Sequence, residues 1–173
     1  MTNEEEVIAI ANAITPSNWV IEIDGWHQDQ MVRFACHIGI SQADWLKYGD
    51  WPRDDDDDDP VGITKEMYFH AHPSGAWTSS VWIYIHDLTD IETLIHEFAH
   101  VGAMRKMARI QGAHRHKQLV WMDTQNFHDE TFTQALAALI KRARQALKNI
   151  YPPEHPLWSR LEFQLKIHDA QVE

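Results

Sequence analysis

"IETLIHEFAHVGAM", residues 91–104, decides how this chain is read. Ile91, Leu94, Ile95, Phe98, Ala99 and Gly102 recur at three- and four-residue spacing, which predicts a helix that buries one broad side. Thr89, with Glu92 three residues later, makes a Thr-x-x-Glu capping box and places the helix start near Thr89. His96 and His100 then lie one turn apart on a shared face. Both can aim a ring nitrogen at one ion about 2.0–2.1 Å away. Glu97, rotated by about 100° from His96, reaches a water on that ion without ligating the ion itself. Chance explains this poorly even in a chain with 12 histidines. From composition, about 0.05 such matches are expected per chain of this length. A histidine pair on so apolar a helix is also costly to bury without partners. Zinc is the expected occupant, and two side chains do not close its site.

The rest of the chain bounds what such a site can serve. Its 173 residues suit one domain, 1–173, with a sizeable core and no need of disulfides. Cys36 is the only cysteine, which excludes a cysteine-rich zinc finger and suits a reducing compartment. "MTNEEEVIAI" is acidic where a signal peptide would be basic, and no run approaches the roughly 18 apolar residues of a membrane span. A soluble, cytoplasmic protein is expected. The net charge of −11, with 26 acids against 15 bases, disfavours a general nucleic-acid surface, which needs lysine and arginine to displace counterions. Arg105, Lys106, Arg109, Arg115 and Lys117 cluster in 104–117, a stretch best read as a solvated helix end and loop.

Outward from the metal helix, the order is helix, strands, helices. Val7, Ile8, Ala11 and Ile14 mark a first helix over 4–14, ended by Thr15-Pro16. "WVIEI" (19–23) reads as a short strand. "VRFACHIGI" (32–40) alternates cleanly, with Arg33 and His37 opposite the apolar set, and predicts a half-buried strand. Residues 65–71 and 79–87 repeat the alternation around a turn at Pro73-Ser74-Gly75. Between these strands, Asp54 to Asp59 repel one another and predict an exposed acidic loop at about 50–62, without the alternating spacing of a calcium loop. A second helix is expected from Asn126 to Asn149, with Leu136, Leu139, Ile140, Ala143 and Leu147 as its apolar stripe and Pro152-Pro153 beyond it. Residues 157–172 suit a last short helix. Together these elements predict an α+β fold with a small, mostly antiparallel sheet.

Candidates for the third ligand are His114, His116, Asp123, His128, Asp129 and Glu130. His114 and His116 stand in a polar, loop-like stretch. His128 has Phe132 one turn after it, so the phenylalanine can anchor the turn while the histidine faces the metal helix. The longer His-Glu-x-x-His-x-x-Gly-x-x-His pattern fails, because Ala103 and Lys106 occupy its last two positions. The surroundings of Cys36 do not match a deformylase site.

HEFAH followed by a His-x-x-x-Phe stretch, HDETF, resembles the SprT-like and WLM-like zincin metallopeptidases over roughly residues 80–140. The resemblance implies a zincin-like fold with an active cleft between a sheet edge and the metal helix. It implies zinc on His96, His100 and His128, with Glu97 as the catalytic glutamate. The spacer is longer than the family's usual one, and Asp129 stands where glycine is common. Glu130 is the alternative third ligand. Its inward stripe would pass through Gln134 and Ala137, whereas that of His128 passes through Phe132, Leu136 and Leu139, so the pattern favours histidine.

The function so implied is hydrolysis of a peptide bond in a protein or peptide substrate by a zinc-activated water, with Glu97 as general base. The strand at 79–86 is the expected edge for an extended substrate. Tyr68, Tyr84, His114 and His116 are candidates to steady the oxyanion. The competing expectation is a zincin-like scaffold with a structural or vestigial zinc site, used for protein binding or assembly. An intact Glu97 favours the enzyme.

Overall fold

The computed structural model describes residues 3–26, 32–39, 41–48, 66–71, 77–85, 90–110, 120–121 and 128–172. Along the chain run α1 (Asn3–Ile14), β1 (Trp19–Trp26), β2 (Val32–Ile38), α2 (Gln42–Tyr48), β3 (Glu66–Ala71), β4 (Trp77–Ile85), α3 (Ile91–Ile110), β5 (Val120–Trp121), α4 (Glu130–Leu147) and α5 (Pro156–Val172). The fold is α+β. All the strand pairings are antiparallel, in the order β1-β2-β4-β3-β5.

Alternation builds the sheet. Val32, Phe34, Cys36 and Ile38 of β2 are buried, as are Val81, Ile83 and Ile85 of β4, opposite Cys36, Phe34 and Val32. Gly25 has φ +150° where the β1–β2 register slips between Ile23 and Gly25, a bulge that suits a residue without Cβ. Ala71 pairs with Trp77, so β3 and β4 form the expected hairpin-like pair. Residues 72–76, which hold the expected turn, lie outside the described residues, as do Asp54 to Asp59.

Two expectations about the sheet fail. β2 is not half-buried: Ala35 and His37, on its other face, are buried too. β2 is an inner strand with β1 on one side and β4 on the other, so Val20 and Glu22 flank these two residues across one ladder and Ser80 and Trp82 across the other. β4 is not an edge either. It bonds β2 on one side and β3 on the other, so its backbone is already paired and cannot receive a substrate strand.

The helices pack over the sheet through one continuous core. Ile14, Phe34, Ile83, Leu94, Ile95, Phe98, Leu136 and Leu147 are nearly inaccessible to water. Asn12 stitches α1 to β1. Its amide donates to the Ile8 and Ile21 carbonyls, and its oxygen accepts from the Ile21 N–H. The α3–α4 crossing is close at Gly102, where a Cβ would stand 3.5 Å from that of Ala135. The short α2 and β5 had no counterpart in the sequence pattern. α5 spans 17 residues, so it is a full helix rather than a short one. Among the described residues, no helix is long and apolar enough to cross a membrane.

Candidate metal centre

α3 carries the first two histidines. The expected cap, Thr89, lies outside the described residues, and Asp90 caps the start of the helix: Asp90 Oδ1 accepts from the Thr93 N–H at 3.0 Å and Oδ2 from the Thr93 hydroxyl at 2.6 Å. A carboxylate there satisfies an orphan donor and suits the positive end of the helix. Past this cap, the apolar residues that bury α3 leave His96 half-buried and put Glu97 and His100 inside. A carboxylate oxygen of Glu97 and one nitrogen of each histidine lie within 4.8 Å of one another.

His128 comes from the approach to α4. That helix starts at Glu130, with Asp129 as cap accepting from the Phe132 N–H at 3.0 Å. His128 therefore directly precedes the cap instead of standing in the first helical turn. Its Nε2 lies 3.3 Å from His96 Nε2 and 3.2 Å from His100 Nε2. Glu130, the alternative ligand, points to solvent and accepts from Gln134. His114, His116 and Asp123 lie outside the described residues, and the side chains of Tyr68 and Tyr84 are likewise not described.

The two short contacts cannot both be hydrogen bonds. Nε2 of an imidazole offers one in-plane position, either a proton or a lone pair. His128 Nε2 can serve one neighbour that way and must oppose the other. A cation between the three nitrogens removes the conflict by taking a lone pair from each. The two separations from His128 fit: zinc–nitrogen bonds of 2.0–2.1 Å at a tetrahedral angle separate the nitrogens by about 3.3–3.4 Å.

A fourth histidine, absent from the sequence candidates, joins this cluster. His168 of α5 is buried, with its ring centroid 4.5 Å from that of His128 and 5.6 Å from that of His96. One nitrogen each of His96, His128 and His168 lie within 4.8 Å of one another. Phe132 is fully buried against all four rings, at 4.4 Å from His100, 4.7 Å from His128, 4.9 Å from His168 and 5.1 Å from His96. Leu157, Leu161 and Leu165 share a helical side with His168, and this was the available signal.

Glu92 fixes α5 in place. Its Oε2 accepts from Arg160 Nε at 2.6 Å and its Oε1 from Gln164 Nε2 at 2.8 Å. The glutamate expected to close a capping box thus also ties α3 to α5; Thr89, its expected partner there, lies outside the described residues. One turn beyond this tie on each helix stand His96 and His168.

The electrostatics favour neutral rings. Burial pushes His96 down to about 4, helped by repulsion from His128 and His168 and opposed by a hydrogen bond with Gln164. Burial, with His96, His128 and His168 adding, pushes His100 down to about 3. His128 and His168 are lowered as well, mainly by burial. Neutral imidazole is the form that binds a metal, so little proton competition stands in the way near neutral pH. His100 Nδ1 and His168 Nδ1 are buried without a hydrogen-bond partner among the described residues. The groove between α4 and α5 lined by Ile140, Lys141, Glu162 and Leu165 includes none of the cluster residues.

No protein-family model, curated protein or solved structure matches the chain.

Proposed function

We propose that the chain is a zinc-dependent metallopeptidase of zincin-like architecture, with His96, His100 and His128 on the metal and Glu97 as general base. The observation that carries this reading is the set of Nε2 contacts at 3.2 and 3.3 Å, which three neutral imidazoles cannot satisfy among themselves. An all-imidazole donor set suits zinc, and also copper, iron and nickel. The adjacent buried carboxylate favours hydrolytic zinc, because a purely structural site has no use for it.

Zinc held there would polarise a peptide carbonyl and lower the pKa of a water from roughly 15.7 to about 7. Glu97 is placed in sequence to act as general base: its carboxylate would hold the proton of an attacking water and pass it to the departing amine. The short reach from Glu97 to both histidines supports that general-base role. His96 and His128 are only half-buried, so a substrate approaches from their side. Phe132 holds the rings from beneath. The substrate class is protein or peptide. Cys36, the sole cysteine, is buried and free, which suits an intracellular setting.

One observation favours a second reading, a zincin-like scaffold with structural zinc. One nitrogen of His168 lies within 4.8 Å of nitrogens of His96 and His128, and a zinc site with four protein ligands is usually structural. A casein-cleavage assay separates the two. An enzyme loses cleavage to a chelator and regains it with zinc. A protein that holds zinc and cleaves nothing, with His168 intact or removed, is a scaffold.

A further inference from the structure

We infer that His168 is a fourth metal ligand supplied by the C-terminal helix, so that the resting site is a cage of four imidazoles and hydrolysis requires His168 to leave. The inference rests on the metal-binding reading of His96, His100 and His128.

Three observations converge on it. One nitrogen of His168 lies within 4.8 Å of a nitrogen of His96 and a nitrogen of His128, close enough for the three rings to share an ion. Its Nδ1 is buried with no hydrogen-bond partner among the described residues. A histidine serving only as core filler would be expected to have that nitrogen satisfied, since an orphaned buried polar atom costs about 1–3 kcal/mol. Finally, the helix that carries it is aimed. Arg160 and Gln164, two turns and one turn ahead of His168 on α5, both grip Glu92, one turn ahead of His96 on α3. Leu157 and Leu161, buried on the same side of α5, seat the helix in the core.

Four neutral imidazoles bring no charge to a divalent ion, and the buried Glu97 beside them supplies one negative charge. The arrangement is closed. A hydrolytic site keeps one position for water. In this protein that position becomes free when the last turn of α5, which carries His168, swings away and leaves the other ligands on their elements.

X-ray absorption on the zinc-loaded wild-type protein tests the ligand count without any substitution. Four imidazole nitrogens are expected; three nitrogens and one oxygen overturn the inference. His168→Ala gives the second readout, by zinc competition against a chelator and by the visible spectrum of the cobalt-loaded protein, with circular dichroism confirming the fold. Zinc should bind more weakly by at least the roughly 10–100-fold that losing an outer-shell support costs, and the cobalt bands should shift. Unchanged affinity and spectrum overturn the inference. Casein cleavage should rise in His168→Ala. Lower cleavage with an unchanged cobalt spectrum would place His168 on the substrate instead and overturn it. Absence of cleavage in every variant, with four nitrogens found, counts against the peptidase reading alone. Absence of bound metal in the wild-type protein ends both.

Discussion

Glu97 and His128 have different duties, and substitution separates them. Glu97→Gln keeps the ligands and removes the base. Zinc content and melting temperature should hold, while casein turnover falls by about 10²–10⁴-fold, the usual worth of general base catalysis. Full turnover in that variant would remove Glu97 from the chemistry. His128→Ala opens the nitrogen triangle and should weaken zinc binding strongly, whereas Glu130→Ala, at an exposed carboxylate that faces Gln134, should leave it unchanged. The reverse pattern in a chelator competition would contradict the three-histidine site. At this scale the sequence was informative where spacing is local. His96, Glu97 and His100 lie within five residues on one helix, so their geometry follows from helical pitch. His128 could be singled out because Phe132 and Leu136 extend a stripe from it. His168 could not be reached that way, because what brings it to the site is the docking of α5 on α3, a contact across 72 residues between Glu92 and Gln164.

The elements show how a local motif is reused by its surroundings. The sequence offers Glu92 to a capping box with Thr89, which lies outside the described residues; in the fold Asp90 caps α3 and Glu92 reaches Arg160 and Gln164. A local signature names residues able to make a bond, and tertiary packing decides which bond is made. The same limit explains the sheet. Alternation in β2 and β4 gave their inward faces correctly, but period two does not reveal strand order, and strand order put β4 inside the sheet with both edges paired. The caps also give a prediction. Asp129→Ala removes the cap of α4 and should cost about 1 kcal/mol in urea denaturation. Because His128 directly precedes that cap, zinc affinity should fall as well. Asp90→Ala should cost a similar amount at the start of α3, where His96 lies more than a turn inside the helix, and should leave zinc affinity nearly intact. Equal loss of zinc in both variants would show general destabilisation instead of positioning.

Across the whole molecule, the buried cluster makes stability depend on pH in the metal-free state. His96 and His100 titrate near 4 and near 3 when folded, below the ordinary histidine value of 6.5. Between those values the unfolded chain binds protons that the folded chain refuses. Stability is therefore full above about pH 6.5 and falls as the pH drops towards 4. Urea denaturation of the metal-free protein should show a lower midpoint at pH 5 than at pH 7.5, with a smaller difference in His100→Gln. A higher midpoint at pH 5 would contradict neutral buried rings. The most direct measurement is the zinc content of the purified wild-type protein beside that of His96→Ala and His128→Ala. The expected result is about one zinc per chain in the wild type, the content of a single mononuclear site, and a large loss in each variant while both remain folded. A folded wild-type protein that takes up no zinc at neutral pH, or variants that keep it in full, would contradict the proposed centre.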